Sequence, residues 1–108
     1  HHLDHEGKAA LMHRIAAELA PGAVFVNAEQ VAAPSPVLEA HQIAAWRRDV
    51  VALGCTPDDL AAADLRMAAD ICAPVEPQLE WLRAAGFVEV DAPFRDGRFA
   101  VITGRLPA

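Results

Sequence analysis

The sequence predicts an α/β fold, and three observations carry that reading. The run AVFV at 23–26 is apolar on consecutive residues, the pattern of a strand covered on both faces, as in a parallel sheet sandwiched by helices. A helical apolar stripe precedes it, and further helical patterns follow. The chain then closes on two β-rich runs around Asp96-Gly97, a strong hairpin signal.

Each element has its own justification. Asp4 caps a first helix predicted to about Ala20, in which Leu11, Ile15 and Leu19 recur at i, i+4 and i+8 beside Met12 and Ala16. Pro21-Gly22 stops it. The strand that starts at Ala23 turns polar at Asn27, Glu29 and Gln30, and AAPSP is a loop. Ser35 caps a second helix with Pro36 in its first turn, running to about Leu53 and ended by Gly54. Thr56-Pro57-Asp58-Asp59 opens a third, with acids at the positive end of its dipole. That helix is predicted to about Cys72, with Pro74 and Pro77 breaking it. PQLEWLRAAG is a fourth helix ending at Gly86, and FVEVDAPF and FAVITGRL are the hairpin strands joined by RDGR.

Composition narrows the function classes. The chain has 108 residues, 54% hydrophobic and 22% charged, a balance that folds as one domain or part of one. Fifteen acidic against nine basic residues give a net charge of -6, which argues against a broad phosphate-binding surface. No apolar run approaches the roughly 20 residues that cross a bilayer, and no basic-then-apolar secretory start is seen. Cys55 and Cys72 lack CxxC spacing, so a zinc site or disulfide framework is not expected and a reducing cytoplasm is. Abundant alanine without tyrosine fits a GC-rich bacterial coding sequence.

The lone apolar strand needs partners on both edges. The hairpin can supply one, and nothing in this sequence supplies the other; the first helix also lacks a preceding parallel strand from which to cross over. Residues 1–108 therefore read as the second half of a larger α/β domain.

The two ends of the chain carry a resemblance. HHLDHEGKAALMHRIAAELAPGAVFVNAEQV is similar to the segment of class I S-adenosylmethionine-dependent methyltransferases that follows their fourth strand, with Ala23 in place of the second glycine of PGG. QLEWLRAAGFVEVDAPFRDGRFAVITGR resembles that family's closing helix, sixth strand and antiparallel seventh strand. The nearest subgroup includes the tRNA wobble-uridine carboxymethoxy modification enzymes. The resemblance implies the carboxyl-terminal half of a Rossmann-like sheet: one buried parallel strand, inserted helices at 35–74 that roof the substrate side, and a terminal antiparallel β-hairpin. It implies methyl transfer to a small molecule or a tRNA base. It also implies that the S-adenosylmethionine cradle is missing, because the six glycines form no GxGxG. The 108 residues alone are not expected to bind that cofactor.

Within this resemblance His1 and His2 are native residues, not a tag stump, and lie where the fourth strand gives way to the next helix. They would position the methyl acceptor or, as a base, take its proton. Asn27, Glu29 and Gln30 at the end of the next strand, and Arg66 on the insert, are the candidate substrate contacts, with solvation of a strand exit as the bland alternative for the first three. Trp46 can stack on a planar substrate, although Ile43, Trp46 and Val50 are spaced as an ordinary buried stripe. Asp70 is placed to pair with Arg66 at i, i+4. His5 and His13, taken together with His1 and His2, are not expected to form a metal site, because His5 and His13 are eight apart near one helix face without a clustered carboxylate partner. A second function class stays open: a non-catalytic module that binds a partner along an exposed sheet edge, or its own copy through that edge or the apolar face of the first helix.

Overall fold

The computed structural model describes all 108 residues, His1–Ala108. The elements are α1 (His5–Glu18), β1 (Val24–Gln30), α2 (Pro36–Ala52), α3 (Pro57–Met67), α4 (Val75–Ala84), β2 (Val88–Asp96) and β3 (Phe99–Arg105). This is a small α/β body with the expected order. No helix is long and apolar enough to cross a membrane.

The helix starts follow their caps. Asp4 accepts from the Gly7 amide at 2.7 Å, and Ser35 accepts from the Leu38 amide at 3.2 Å. Thr56 and Asp59 form a reciprocal capping box, with bonds of 3.0 and 3.1 Å. The bond from the Thr56 amide, with a smaller contribution from the Thr56 side chain, holds the Asp59 carboxyl below its ordinary value.

The sheet order is β1-β3-β2, and β3 runs antiparallel to both neighbours. The hairpin loop is the two residues Gly97-Arg98, with Gly97 at φ 55° in the first central position, where a tight hairpin favours glycine. β2 is irregular: its register against β3 shifts twice, and Glu89 sits at φ 52°. Arg105 Nε donates to Glu89 Oε2 at 2.9 Å across that bulge, which pulls the Glu89 carboxyl below its ordinary value.

One face of this sheet is covered. Met12 of α1 and Val75, Leu79 and Leu82 of α4 pack with Phe87, Ala100, Ile102 and Leu106. Alternation decides which strand residues take part. Phe25, Asn27 and Glu29 of β1 lie opposite Gly104, Ile102 and Ala100 on the covered side. Val24 and Val26 are on the other side and are 63% and 60% exposed. The sequence predicts β1 as a parallel strand buried on both faces. Instead it is an edge strand, antiparallel to β3, with one apolar face bare. The physical reason is that α1 and α4 share one layer, and neither α2 nor α3 contributes a buried residue to cover the second.

Three further expectations shift. The buried stripe of α1 is Lys8 and Met12 with Ile15 and Ala16 beside them, while Leu11 and Leu19 are exposed. Helix α3 stops at Met67 and does not reach Cys72, because the following residues leave the helix to pair with other segments: the Ile71 amide donates to the His1 carbonyl at 2.6 Å and the Ala32 amide to the Ala73 carbonyl at 3.1 Å. Helix α4 begins at Val75, so Pro77 falls in its first turn, where an amide hydrogen has no helical partner to lose.

Helices α2 and α3 stand away from the body. The radius of gyration is 15.9 Å, against about 13 Å for a compact chain of this length. Glu39 ties α2 back, accepting from the Ala33 amide at 2.5 Å and pairing with Arg98 at 3.3 Å. Arg47 and Asp64 join the two helices at 2.7 Å.

A methyl group at Gly104 would lie 3.2 Å from the Phe87 Cβ, closer than ordinary contact. Gly104→Ala is expected to lower the unfolding free energy by about 1–3 kcal/mol, the range for overpacking a filled core. Urea unfolding checks this, and an unchanged midpoint would contradict the packing described.

Candidate functional site

The carboxyl end of β1 and the segment after α3 build a polar cluster. Glu29 points to the covered side of the sheet and receives His1 Nδ1 on Oε1 at 2.5 Å. The Gln30 amide donates to the same oxygen at 2.9 Å. The Glu29 contact holds the imidazole of His1 in one orientation. Its Nε2 faces Asp70 Oδ1 at 3.5 Å, and His2 Nε2 lies 2.9 Å from that same oxygen. The two rings meet edge to face with centroids 4.6 Å apart.

Backbone ties explain why residues so far apart in sequence meet. Beyond the His1–Ile71 bond, Lys8 Nζ donates to the carbonyls of Leu3 and Ile71. Lys8 is buried, so its ammonium satisfies the two strands of chain that carry the histidines and Asp70. Gln78, also buried, donates to the Ala73 carbonyl at 2.9 Å and holds the other end of that segment. A cavity of about 70 Å³ opens beside the cluster, bordered by His1, Lys8, Met12, Phe25, Asn27 and Glu29.

A second cleft lies between α2 and the hairpin turn. It has two lobes of about 250 Å³ each, lined by Gln30, Gln42, Trp46, Met67, Arg98 and Phe99. Gln30 Oε1, Gln42 Oε1 and Arg98 Nε are buried there without a hydrogen-bond partner. Unpaired buried groups of this kind carry a desolvation cost. Nearby, burial pushes the Cys72 thiol up, with Arg98 partly opposing it, so Cys72 stays protonated at neutral pH.

The predicted site residues thus divide. His1, His2 and Glu29 come together, with Asn27 in the adjoining cavity. Gln30 goes to the second cleft because successive strand residues face opposite ways. Trp46 joins it there and does not sit in a buried stripe, since α2 has no buried residue. Arg66 reaches neither place and is exposed on α3. The expected Arg66–Asp70 pair is replaced by the Asp70 contacts with His1 and His2, because Asp70 lies beyond the end of α3. Asp70, Lys8, Gln42 and Arg98 were not marked as site residues by sequence reasoning. Only Lys8 left a trace, a charge four residues before the buried Met12 on the same helix face.

No family model matches this chain, and neither does any curated protein sequence. Among solved structures it is similar to that of a "possible exported protein" from Bordetella parapertussis, with a TM-score of 0.63 at 20% identity. The match covers 97% of this chain and 35% of that one. At this identity the likeness is one of fold, and the chain spans about a third of the length of that protein.

Proposed function

We propose that these residues form the acceptor-side half of an S-adenosylmethionine-dependent methyltransferase domain, and that the complete protein transfers a methyl group to a small molecule or a tRNA base. The observation that supports this most is the state of β1. Its outer edge has no strand beside it, and its carboxyl end presents Glu29 in contact with His1. Open α/β sheets bind ligands at such strand ends. The antiparallel pairing of β3 supports the reading, since the resemblance implies an antiparallel closing strand.

The residues present do not fit the cofactor. No glycine-rich turn follows β1, and about 70 Å³ beside His1 is well below the 300–1,000 Å³ of ordinary ligand pockets. The cradle would belong to residues outside this chain, whose own part is confined to the acceptor. Glu29 fixes the His1 ring, and the histidines position the reacting group. Gln30, Gln42, Trp46 and Arg98 would grip a planar polar acceptor from the insert side, which leaves Arg66 without a role. The two free thiols support a reducing, cytoplasmic setting. The Bordetella protein, by contrast, is described as exported.

A second reading is favoured by the same bare strand: self-association through the β1 edge and the apolar face bearing Val24, Val26, Phe94 and Phe99. Sedimentation would then give a dimer that Val26→Lys reduces to a monomer. A monomeric wild-type chain at high micromolar concentration would dismiss it.

The methyltransferase reading is tested by calorimetry with S-adenosylmethionine. The 108 residues should give no binding heat, and the protein extended by its upstream coding sequence should bind. Heat from the 108 residues would contradict the placement of the cradle. Silence from the extended protein would contradict the class.

A further inference from the structure

Beyond methyl transfer, and independently of it, we propose that His1, His2 and Asp70 bind a zinc-sized divalent cation, with Glu29 as the outer carboxylate that orients His1.

The ligand atoms are already gathered. His1 Nε2, His2 Nε2 and an Asp70 carboxylate oxygen lie within 4.8 Å of one another. Zinc binds nitrogen and oxygen at about 2.0–2.2 Å, so tetrahedral geometry puts neighbouring ligand atoms about 3.3 Å apart. The two His–Asp70 separations, 2.9 and 3.5 Å, bracket that spacing. With His1 fixed by Glu29, a small rotation of the exposed His2 imidazole would bring the three atoms onto one ion.

A second observation points the same way. Glu29 Oε1 lies 2.5 Å from His1 Nδ1, which leaves the opposite ring nitrogen, Nε2, turned toward Asp70 Oδ1 at 3.5 Å. The pattern of carboxylate, histidine, then metal is how outer-shell groups fix a ligating imidazole, setting the tautomer and raising its basicity. Asp70 has a side chain only 11% exposed and is held by the Ile71–His1 bond and the Lys8 bridge, so one side of the site is rigid.

Three protein ligands leave a coordination position open. Sites of that kind hold a water or a substrate atom in the fourth position. The borderline donor set of two imidazoles and one carboxylate suits zinc, and also nickel or cobalt, better than magnesium or calcium.

Zinc titration of the full 108-residue chain at neutral pH, followed by calorimetry without S-adenosylmethionine, tests the proposal. One equivalent should bind, both in this chain and in a version with two residues added before His1. Asp70→Asn and His2→Ala should each weaken the Kd more than tenfold, and Glu29→Gln by about 10–100-fold. His13→Ala, on the exposed side of α1, should leave it unchanged. Far-UV circular dichroism verifies folding of each variant, and Glu29→Gln supplies the readout should a ligand variant fail to fold. Absence of stoichiometric binding, or affinity undiminished in folded Asp70→Asn or in Glu29→Gln, overturns the proposal. Because the cofactor is left out, failure here says nothing about methyl transfer.

Discussion

The strand Phe99–Arg105 hydrogen-bonds to β1 on one side and to β2 on the other, and its core-facing Ala100 and Ile102 have no exposed surface. The last strand in sequence is therefore the middle strand in space. Its position decides the fate of the others. β1 receives hydrogen bonds along one edge only, and α1 and α4 cover only the face that Ala100 and Ile102 present. The burial of 14 of 108 residues is the consequence: a one-sided core beneath a sheet whose second face is apolar and uncovered. Removing such a surface from water is the dominant favourable term in folding and association, so the bare face and edge are the surfaces most disposed to associate.

The polar site grows from the same geometry. Because β1 ends where the sheet ends, Glu29 on the covered side and Gln30 on the open side address two different spaces. The chain then returns past Met67 to lay Asp70 and Ile71 against His1, an arrangement locked by Lys8 rather than by any apolar contact. A buried ammonium bonded to two carbonyls is specific in a way that packing is not, since displacing either segment leaves a charge unsatisfied.

Much of this was legible from residues. Caps at Asp4, Ser35 and Thr56, the existence of the hairpin and the order of elements follow from local chemistry, which acts within a few positions and needs no tertiary partner. The turn itself is centred on Gly97-Arg98, one residue beyond the expected Asp96-Gly97. The bare edge of β1 was also legible, by counting strands against the partners they require. What failed did so for tertiary reasons. The helical pattern through Cys72 is locally sound, yet pairing with His1 and Ala32 outweighs it after Met67. The Leu11–Leu19 stripe is a true apolar face, but α1 turns Met12 inward because α4 and Lys8's two carbonyl acceptors lie on that side. Of the site, His1, His2 and Glu29 came from a resemblance. Asp70 did not, since its sequence neighbour Arg66 offered a simpler partner and nothing local shows a segment leaving its helix.

The central claim is that β1 is an edge strand, bonded to β3 along one side and to no strand along the other. Amide hydrogen exchange on β1 tests it most directly, because an edge strand leaves alternate amides without a partner. At concentrations where the 108 residues are monomeric, alternate amides between Val24 and Gln30 should exchange rapidly while their neighbours, bonded to β3, are protected. Uniform protection of β1 in the monomeric 108 residues would contradict the account.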